Sequence, residues 1–368
     1  MFYGALLLTG ANLALRLAGM SFQVCLSGRL GAAGVGLLQL ILSVRMLAFT
    51  LGSSGARTCA LYLSAEALGR RRSVRPALSG SIRYCLLFAL PAGAGLWVLP
   101  PRIAGGWIGD AAAESARRAF ALFLPVSCLN GVMTGLFTAA GRLRTLVAVE
   151  FLEQGCAMAA TFALLARWAG EDPSRACLSV ALGSSAASAL SLGALWLLRQ
   201  EGSPLGREDR PPWRRVFGLS LPVGLADDLR AGLNTVENLI IPRRLALCAG
   251  TVNAMADYGV LHGMVFPVLM FPAAILASLA DLLVAEFSRC ARRPGRVRVR
   301  YLARQGLRVS WLFGLLVGGS IFLAARPLGE VLYHSEAAGA CLRLYAPLVP
   351  VLYLDIVVDA MCKGLGQQ

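Results

Sequence analysis

The chain has 368 residues, 57% of them hydrophobic and 15% charged, with a formal net charge of +15. Soluble domains hold about 45–50% apolar and about 25% charged residues, so this composition and a mean hydropathy of +0.65 exclude an ordinary soluble globular protein. The positive charge does not point to nucleic acid. The basic residues fall between apolar blocks, without a basic stripe interleaved with aromatics and without zinc-finger spacing.

The apolar blocks are close to the roughly 20 residues that cross a bilayer. In chain order they predict membrane-spanning helices over 4–27, 34–67, 77–99, 117–140, 145–167, 175–199, 214–241, 257–288, 302–325 and 342–363. The fold class expected is therefore an all-α integral membrane protein of about ten transmembrane helices. The second span is too long for a single crossing, and Gly52-Ser53-Ser54-Gly55 is expected to break it. Pro267 and Pro272 are expected to bend the eighth. The N-terminus lacks a basic segment ahead of its apolar stretch, so it reads as a first span and not as a cleaved signal. The ten cysteines form no CxxC or zinc pattern, and neither a metal nor a cofactor is expected.

Arginines cluster after spans two, four, six and eight, at 70–75, 142–144, 199–215 and 289–304, and are sparser in the other loops. The positive-inside rule then puts these loops and the N-terminus in the cytoplasm, in a multi-pass protein of the cell membrane. The segment 200–213, with mixed charge and several prolines, reads as a linker between a six-helix bundle at 1–199 and a second bundle at 214–368. Short matches recur at an offset of about 215–223. Ser27-Gly28-Arg29-Leu30 answers Pro242-Arg243-Arg244-Leu245, and Gly34-Val35-Gly36-Leu37-Leu38 answers Tyr258-Gly259-Val260-Leu261. Ala65-Glu66 answers Ala285-Glu286. An even number of spans between copies makes this a parallel repeat.

Ionisable residues inside a bilayer are costly, and each is a functional candidate. Arg16 and Arg45 lie near the middle of spans one and two with no acidic residue within one helical turn. They read either as cations in a wet, anion-attracting cavity or as inter-helix partners of Glu153 or Asp227. Arg57 follows the Gly-Ser break. Asp227, Asp228 and Arg230 sit halfway along span seven, where Asp227 and Arg230 at i,i+3 could neutralise each other. Glu153 and Asp355 complete the set; Glu153, Asp227 and Asp355 are candidates for coupling to an ion. No HExxH, GxSxG or P-loop occurs, so no enzyme activity and no catalytic residue is expected.

Leu15-Arg16-Leu17-Ala18-Gly19 and the stretch from Leu26 through Gly34-Val35-Gly36-Leu37-Leu38-Gln39 resemble the first hairpin of the stage V sporulation protein B group, which reads LARLIGAEGxGLYQ after a basic segment. Val236-Glu237-Asn238-Leu239-Ile240-Ile241-Pro242, Tyr258-Gly259-Val260-Leu261 and the closing Gly364-Leu365-Gly366-Gln367-Gln368 are similar to the same group. The group belongs to the multidrug, oligosaccharidyl-lipid and polysaccharide exporter superfamily, which includes the lipid II flippases. The resemblance implies a two-bundle exporter fold and alternating access, with a cationic cavity to which Arg16 belongs; Arg45, Arg57 and Arg230 are the other candidate cavity cations, read from the residues themselves. It also implies a polyprenyl-diphosphate-linked oligosaccharide or lipid II-like precursor as cargo, for peptidoglycan, polysaccharide or spore-envelope synthesis, with membrane lipids as the other partner. Arg16 matches a first-span cavity arginine of the flippases. Departures are Gln23 where the group often has Arg, Ala56-Arg57 where it usually has Ile-Pro, and Val284 where it usually has Pro. Members of the group continue beyond the GLGQQ-like motif, so the second bundle is expected to be incomplete. Two other functions stay open: a cation-coupled multidrug antiporter of the same superfamily, and a non-transporting scaffold for wall or spore-envelope enzymes.

Overall fold

The computed structural model describes residues 2–69, 73–98, 112–169, 173–199, 213–248, 254–277, 279–280, 283, 287 and 296–365. Several features of the sequence reading lie outside them: the arginine cluster 70–72, linker residues 200–212, Val284, Ala285-Glu286, loop residues 288–295 and the terminal Gly366-Gln367-Gln368. The described residues are helical almost throughout and contain no strand.

The elements are α1 (Phe2–Ser53), α2 (Ala56–Gly69), α3 (Arg75–Val98), α4 (Ala112–Ala139), α5 (Leu143–Leu164) and α6 (Pro173–Leu198). They continue with α7 (Trp213–Cys248), α8 (Ala254–Tyr258), α9 (Phe266–Met270), α10 (Arg296–Tyr333), α11 (Glu336–Tyr345) and α12 (Val349–Leu365). Among the described residues seven stretches are long and apolar enough to cross a membrane, one of them of 56 residues from Leu13 to Leu68. At 1.5 Å per residue that stretch is about 80 Å long, far beyond a hydrocarbon core of about 30 Å. It is divided at Gly31, whose φ of 67° and ψ of 175° are not helical. This backbone region is essentially reserved for glycine, and the turn leaves two arms where the sequence predicts two spans. The predicted span seven forms one helix, α7, but its charged residues keep it out of the strongly apolar set.

The expected breaks occur. α1 ends at Ser53, the chain turns through Ser54 (φ 30°) and Gly55 (φ 75°), and α2 starts at Ala56. Phe271-Pro272 forms a turn after α9, and helix resumes at 273–277. One boundary differs. Residues 326–341, read as the link between the last two spans, are mostly helical. α10 runs on to Tyr333, and only His334-Ser335 separates it from α11, which Ser335 caps by accepting from Ala338 N at 3.3 Å. Arg326, Glu330, Glu336 and Arg343 made this stretch resemble a loop. They line a groove of about 790 Å³ with Phe322, over whose ring the Arg343 guanidinium sits at 5.0 Å, and all four charged side chains stay exposed, so helix is kept without burying charge.

Contacts divide the chain into two units, Met1–Leu8 with Leu37–Met255, and Thr9–Gly36 with Ala256–Gln368. This division by contacts differs from division by repeat, and 1–199 with 214–368 as repeated halves is a proposal that rests on the sequence offsets. In the first unit α6 packs against both α4 and α5. Its buried Ser179, Ala181, Ser185, Ala187, Ser188 and Ser191 let backbones approach, the usual currency of helix association where hydrophobicity supplies no drive. α7 runs antiparallel to the second arm of α1 and to α2 along a polar seam. Asn238 Nδ2 donates to Ser43 Oγ at 2.9 Å, Ser54 Oγ donates to Asp228 at 3.5 Å, and Arg215 pairs with Glu66 at 2.6 Å.

In the second unit the core joins Val260, Met264, Val265 and Leu269 to Ile321, Ala325, Leu342 and Tyr353, with Met20, Val24 and Ala32 of the first arm of α1 packed on it. The π-helical segment Gly259–Val265 interrupts the regular α-helical bonding, and Gln23 Nε2 donates to the Gly263 carbonyl at 2.9 Å. A side chain at Gly259 would collide with the Ala32 carbonyl and come within 2.7 Å of Gly36 N, so only glycine allows this contact.

Candidate functional site

The polar residues of the first unit converge where α1, α4, α5 and α6 meet. Arg45, on the second arm of α1, is half-buried, and its guanidinium lies 4.7 Å from the centre of the Phe120 ring. A cation over an aromatic face keeps part of its stabilisation where water is scarce. Glu153 is the acidic group within electrostatic reach of Arg45. Glu153 is itself held by Asn130, whose Nδ2 donates to Oε2 at 3.1 Å. Asn130 also exchanges hydrogen bonds with Ser191, at 3.2 and 3.3 Å, and Ser191 is buried. The arrangement is a carboxylate fixed by an amide and a hydroxyl, with one guanidinium nearby and no direct ion pair between Arg45 and Glu153 among the described residues. Of the two sequence alternatives for Arg45, the structure brings Glu153 into its neighbourhood.

The other candidates are distributed. Arg16 lies on the first arm of α1 in the second unit, uncovered by protein, and makes no hydrogen bond or ion pair among the described residues. Arg57 is uncovered on α2, with Glu150 of α5 in electrostatic reach. Asp227 and Arg230 are both uncovered on α7, and the expected pair between them does not form; spacing alone does not bring two outward-pointing side chains together. The neighbouring Asp228 is the partly buried member of the triplet. Asp355 is uncovered on α12. Among the described residues no group of His, Cys, Asp and Glu is arranged to hold a metal.

Sequence reading passed over Asn130, Ser191 and Phe120, because single polar or aromatic residues in apolar helices carry no local signature. It also passed over a second polar cluster, at the α1–α2 turn. Tyr84 Oη donates to the Ser54 carbonyl at 3.0 Å. Tyr84 is in turn covered edge-on by Phe217 at 5.2 Å. Asp228 and Ser220 of α7 face the same turn.

No protein-family model matches the chain. It is 22% identical to Stage V sporulation protein B of Bacillus subtilis over 99% of this chain and 72% of that protein. It superposes on an inward-facing multidrug resistance MATE family transporter of the MOP superfamily with a TM-score of 0.69, at 18% identity, covering 98% of this chain and 85% of the other. The MATE multidrug transporter DinF-BH gives a TM-score of 0.67 at 13% identity, over 99% of this chain and 83% of the other. A MOP superfamily transporter from Pyrococcus furiosus gives 0.65 at 17% identity, over 99% and 82%. This chain is a multi-pass, all-α membrane protein with the fold of the MOP superfamily transporters.

Proposed function

We propose that the chain is a transporter that moves a polyprenyl-diphosphate-linked saccharide across the cell membrane by alternating access, for wall, polysaccharide or spore-envelope synthesis. The observation that carries the reading is Arg16, a mid-helix arginine without a protein partner among the described residues. A guanidinium in this position requires either water or an anion, and a lipid diphosphate offers paired oxygens matched to its fork of donors. Similarity to Stage V sporulation protein B along nearly the whole chain supports a lipid-linked cargo. Arg45 over Phe120, Arg57 and Arg230 are further candidate cations for an anionic cargo, each taken by itself.

Flipping of a fluorescent lipid-linked precursor in proteoliposomes tests the reading. A charge-assisted hydrogen bond is worth about 1.5–3 kcal/mol, so Arg16→Ala is expected to slow flipping by about ten- to a hundredfold, with expression and insertion unchanged. Arg16→Lys is expected to recover only part of the rate, because an ammonium cannot bind bidentately. Wild-type flipping by Arg16→Ala would reject a cationic site for the cargo.

A cation-coupled multidrug antiporter is the second reading, favoured by the partly buried Glu153–Asn130–Ser191 cluster and by MATE transporters among the structural neighbours. Here Glu153 carries the coupling ion or proton, with Asp227 and Asp355 as further candidates. Ion-gradient-driven dye efflux that Glu153→Gln abolishes, without precursor flipping, would select it.

A further inference from the structure

The turn between α1 and α2 holds a cluster of oxygen atoms, several of them without partners. Asp228 Oδ1 is buried with no hydrogen-bond partner among the described residues, and so is the hydroxyl of Ser220, a residue with 0% exposure. Both lie on the face of α7 that meets the turn, since Ser220, Gly224 and Asp228 recur every four residues. A Cβ on Gly224 would stand 2.6 Å from Ser54 Oγ and 2.7 Å from the Ser54 carbonyl, and one on Gly55 would collide with the Ser220 carbonyl. The two backbones therefore touch at this point, and both orphaned oxygens belong to residues of the α7 face that makes the contact. The turn contributes Ser54 Oγ, 3.5 Å from Asp228 Oδ2, and the Ser54 carbonyl. Tyr84 Oη is 3.0 Å from that carbonyl, with Ser220 beside it.

We propose that Asp228, Ser54, Ser220 and Tyr84 form a monovalent-cation site, suited to Na+, at the α1–α2 turn. The donors named are all oxygen, which selects a hard cation. They include one carboxylate, which is little charge for a divalent ion and enough for a monovalent one. Among the described residues no ion pair joins Asp228 to a cation, and the charged neighbour that acts on it is another carboxylate, Asp227. An interrupted helix also leaves carbonyls free to face an ion, the arrangement in which broken membrane helices coordinate Na+. Na+ has nearly the ionic radius of Ca²⁺, which holds oxygens at about 2.3–2.6 Å. Two ligands at right angles around such an ion lie about 3.5 Å apart, the separation of Ser54 Oγ and Asp228 Oδ2. That distance is long for a hydrogen bond between oxygens and fits two ligands of one ion. Occupation would tie α7 to both ends of the turn. The proposal deepens the transport reading by naming an ion that could drive it, and uses a carboxylate distinct from Glu153, Asp227 and Asp355.

The test is equilibrium binding of ²²Na+ to the purified full chain in lipid nanodiscs, with size-exclusion behaviour as the check on folding. Saturable binding is expected, displaced by unlabelled Na+ and far less by K+. Asp228→Asn should weaken it by about tenfold or more, and Tyr84→Phe and Ser220→Ala by smaller factors. Glu237→Gln, an uncovered carboxylate on the same helix, should leave it unchanged. If Asp228→Asn does not fold, Tyr84→Phe and Ser220→Ala decide, and both binding as the unsubstituted chain does would overturn the site. Absence of saturable binding by the folded protein, or full binding by folded Asp228→Asn, would also overturn it. Na+ binding through Asp228 in a chain that flips no precursor would reject the precursor-flipping reading and leave the site standing.

Discussion

Arg45 and Asn130 carry the argument at the scale of single residues. Arg45 stands in an apolar helix, where a guanidinium is tolerated because a ring and a carboxylate on other helices supply what water would. Asn130 is the less conspicuous residue and the more connected one, since it bonds both Glu153 and Ser191. Removing it leaves a carboxylate and a buried hydroxyl short of partners. Leaving a buried polar group unsatisfied costs about 1–3 kcal/mol, so Asn130→Ala is expected to lower the melting temperature of the purified protein by several degrees. Asn130→Asp, which sets a second negative charge beside Glu153, should be at least as harmful. Thermal unfolding of both variants in one detergent checks this, and an unchanged melting temperature for Asn130→Ala would mean that water replaces the amide.

At the scale of elements, helix interruptions organise this chain. The Gly31 turn divides α1 into two arms, the Ser54-Gly55 turn divides α1 from α2, and the π-helical segment and Pro272 shape the region from Ala254 to 277. Each interruption frees backbone groups, and in several cases a side chain distant in sequence meets them: Gln23 at Gly263, Tyr84 at Ser54 and Tyr353 at Leu269. A membrane interior allows no unpaired backbone, which explains why polar residues occur where the helices break. Gly31→Ala places a Cβ in a backbone region that costs about 1–3 kcal/mol for any other residue, although the space around it is open. The variant should therefore be destabilised by strain alone. Gly224→Val should be worse, since its side chain meets the Ser54 backbone, whereas Gly218→Val on the same helix meets nothing within 4 Å. Yields of folded protein in the order Gly218→Val, Gly31→Ala, Gly224→Val are expected in parallel expression trials. Equal yields for the two α7 variants would refute the close approach of α7 to the turn.

At the scale of the whole molecule, the positions of the arginines along the chain predict an orientation in the membrane. Loops 70–75, 199–215 and 289–304 carry most of the clustered positive charge, and the positive-inside rule predicts that they and the N-terminus are cytoplasmic. With the native cysteines replaced, single cysteines at 72 and 296 should resist an impermeant thiol reagent in intact cells and react in opened ones. A cysteine at 334, in the short link between α10 and α11, should react from outside. Labelling at 72 or 296 in intact cells would invert the topology.

The class of protein was legible in the chain itself, because spanning a bilayer imposes a length and an apolarity that no tertiary contact can supply. For the same reason the ends of α3, α5 and α6 fall within a few residues of the blocks read from hydropathy. The breaks were legible too, since Gly, Ser and Pro act through their own backbones at Gly52-Ser53-Ser54-Gly55 and Pro272. Local pattern misjudged 326–341, where charges that line a groove look like charges in a loop. It also offered Asp227 and Arg230 as a possible pair, and among the described residues no ion pair joins them. Which polar residues meet was decided by tertiary structure alone. Asn130 and Ser191 are 61 positions apart, and Ser54 and Asp228 are 174 apart. Such partners leave no periodic trace, because each residue answers to a different helix and only the packing of those helices brings their side chains together.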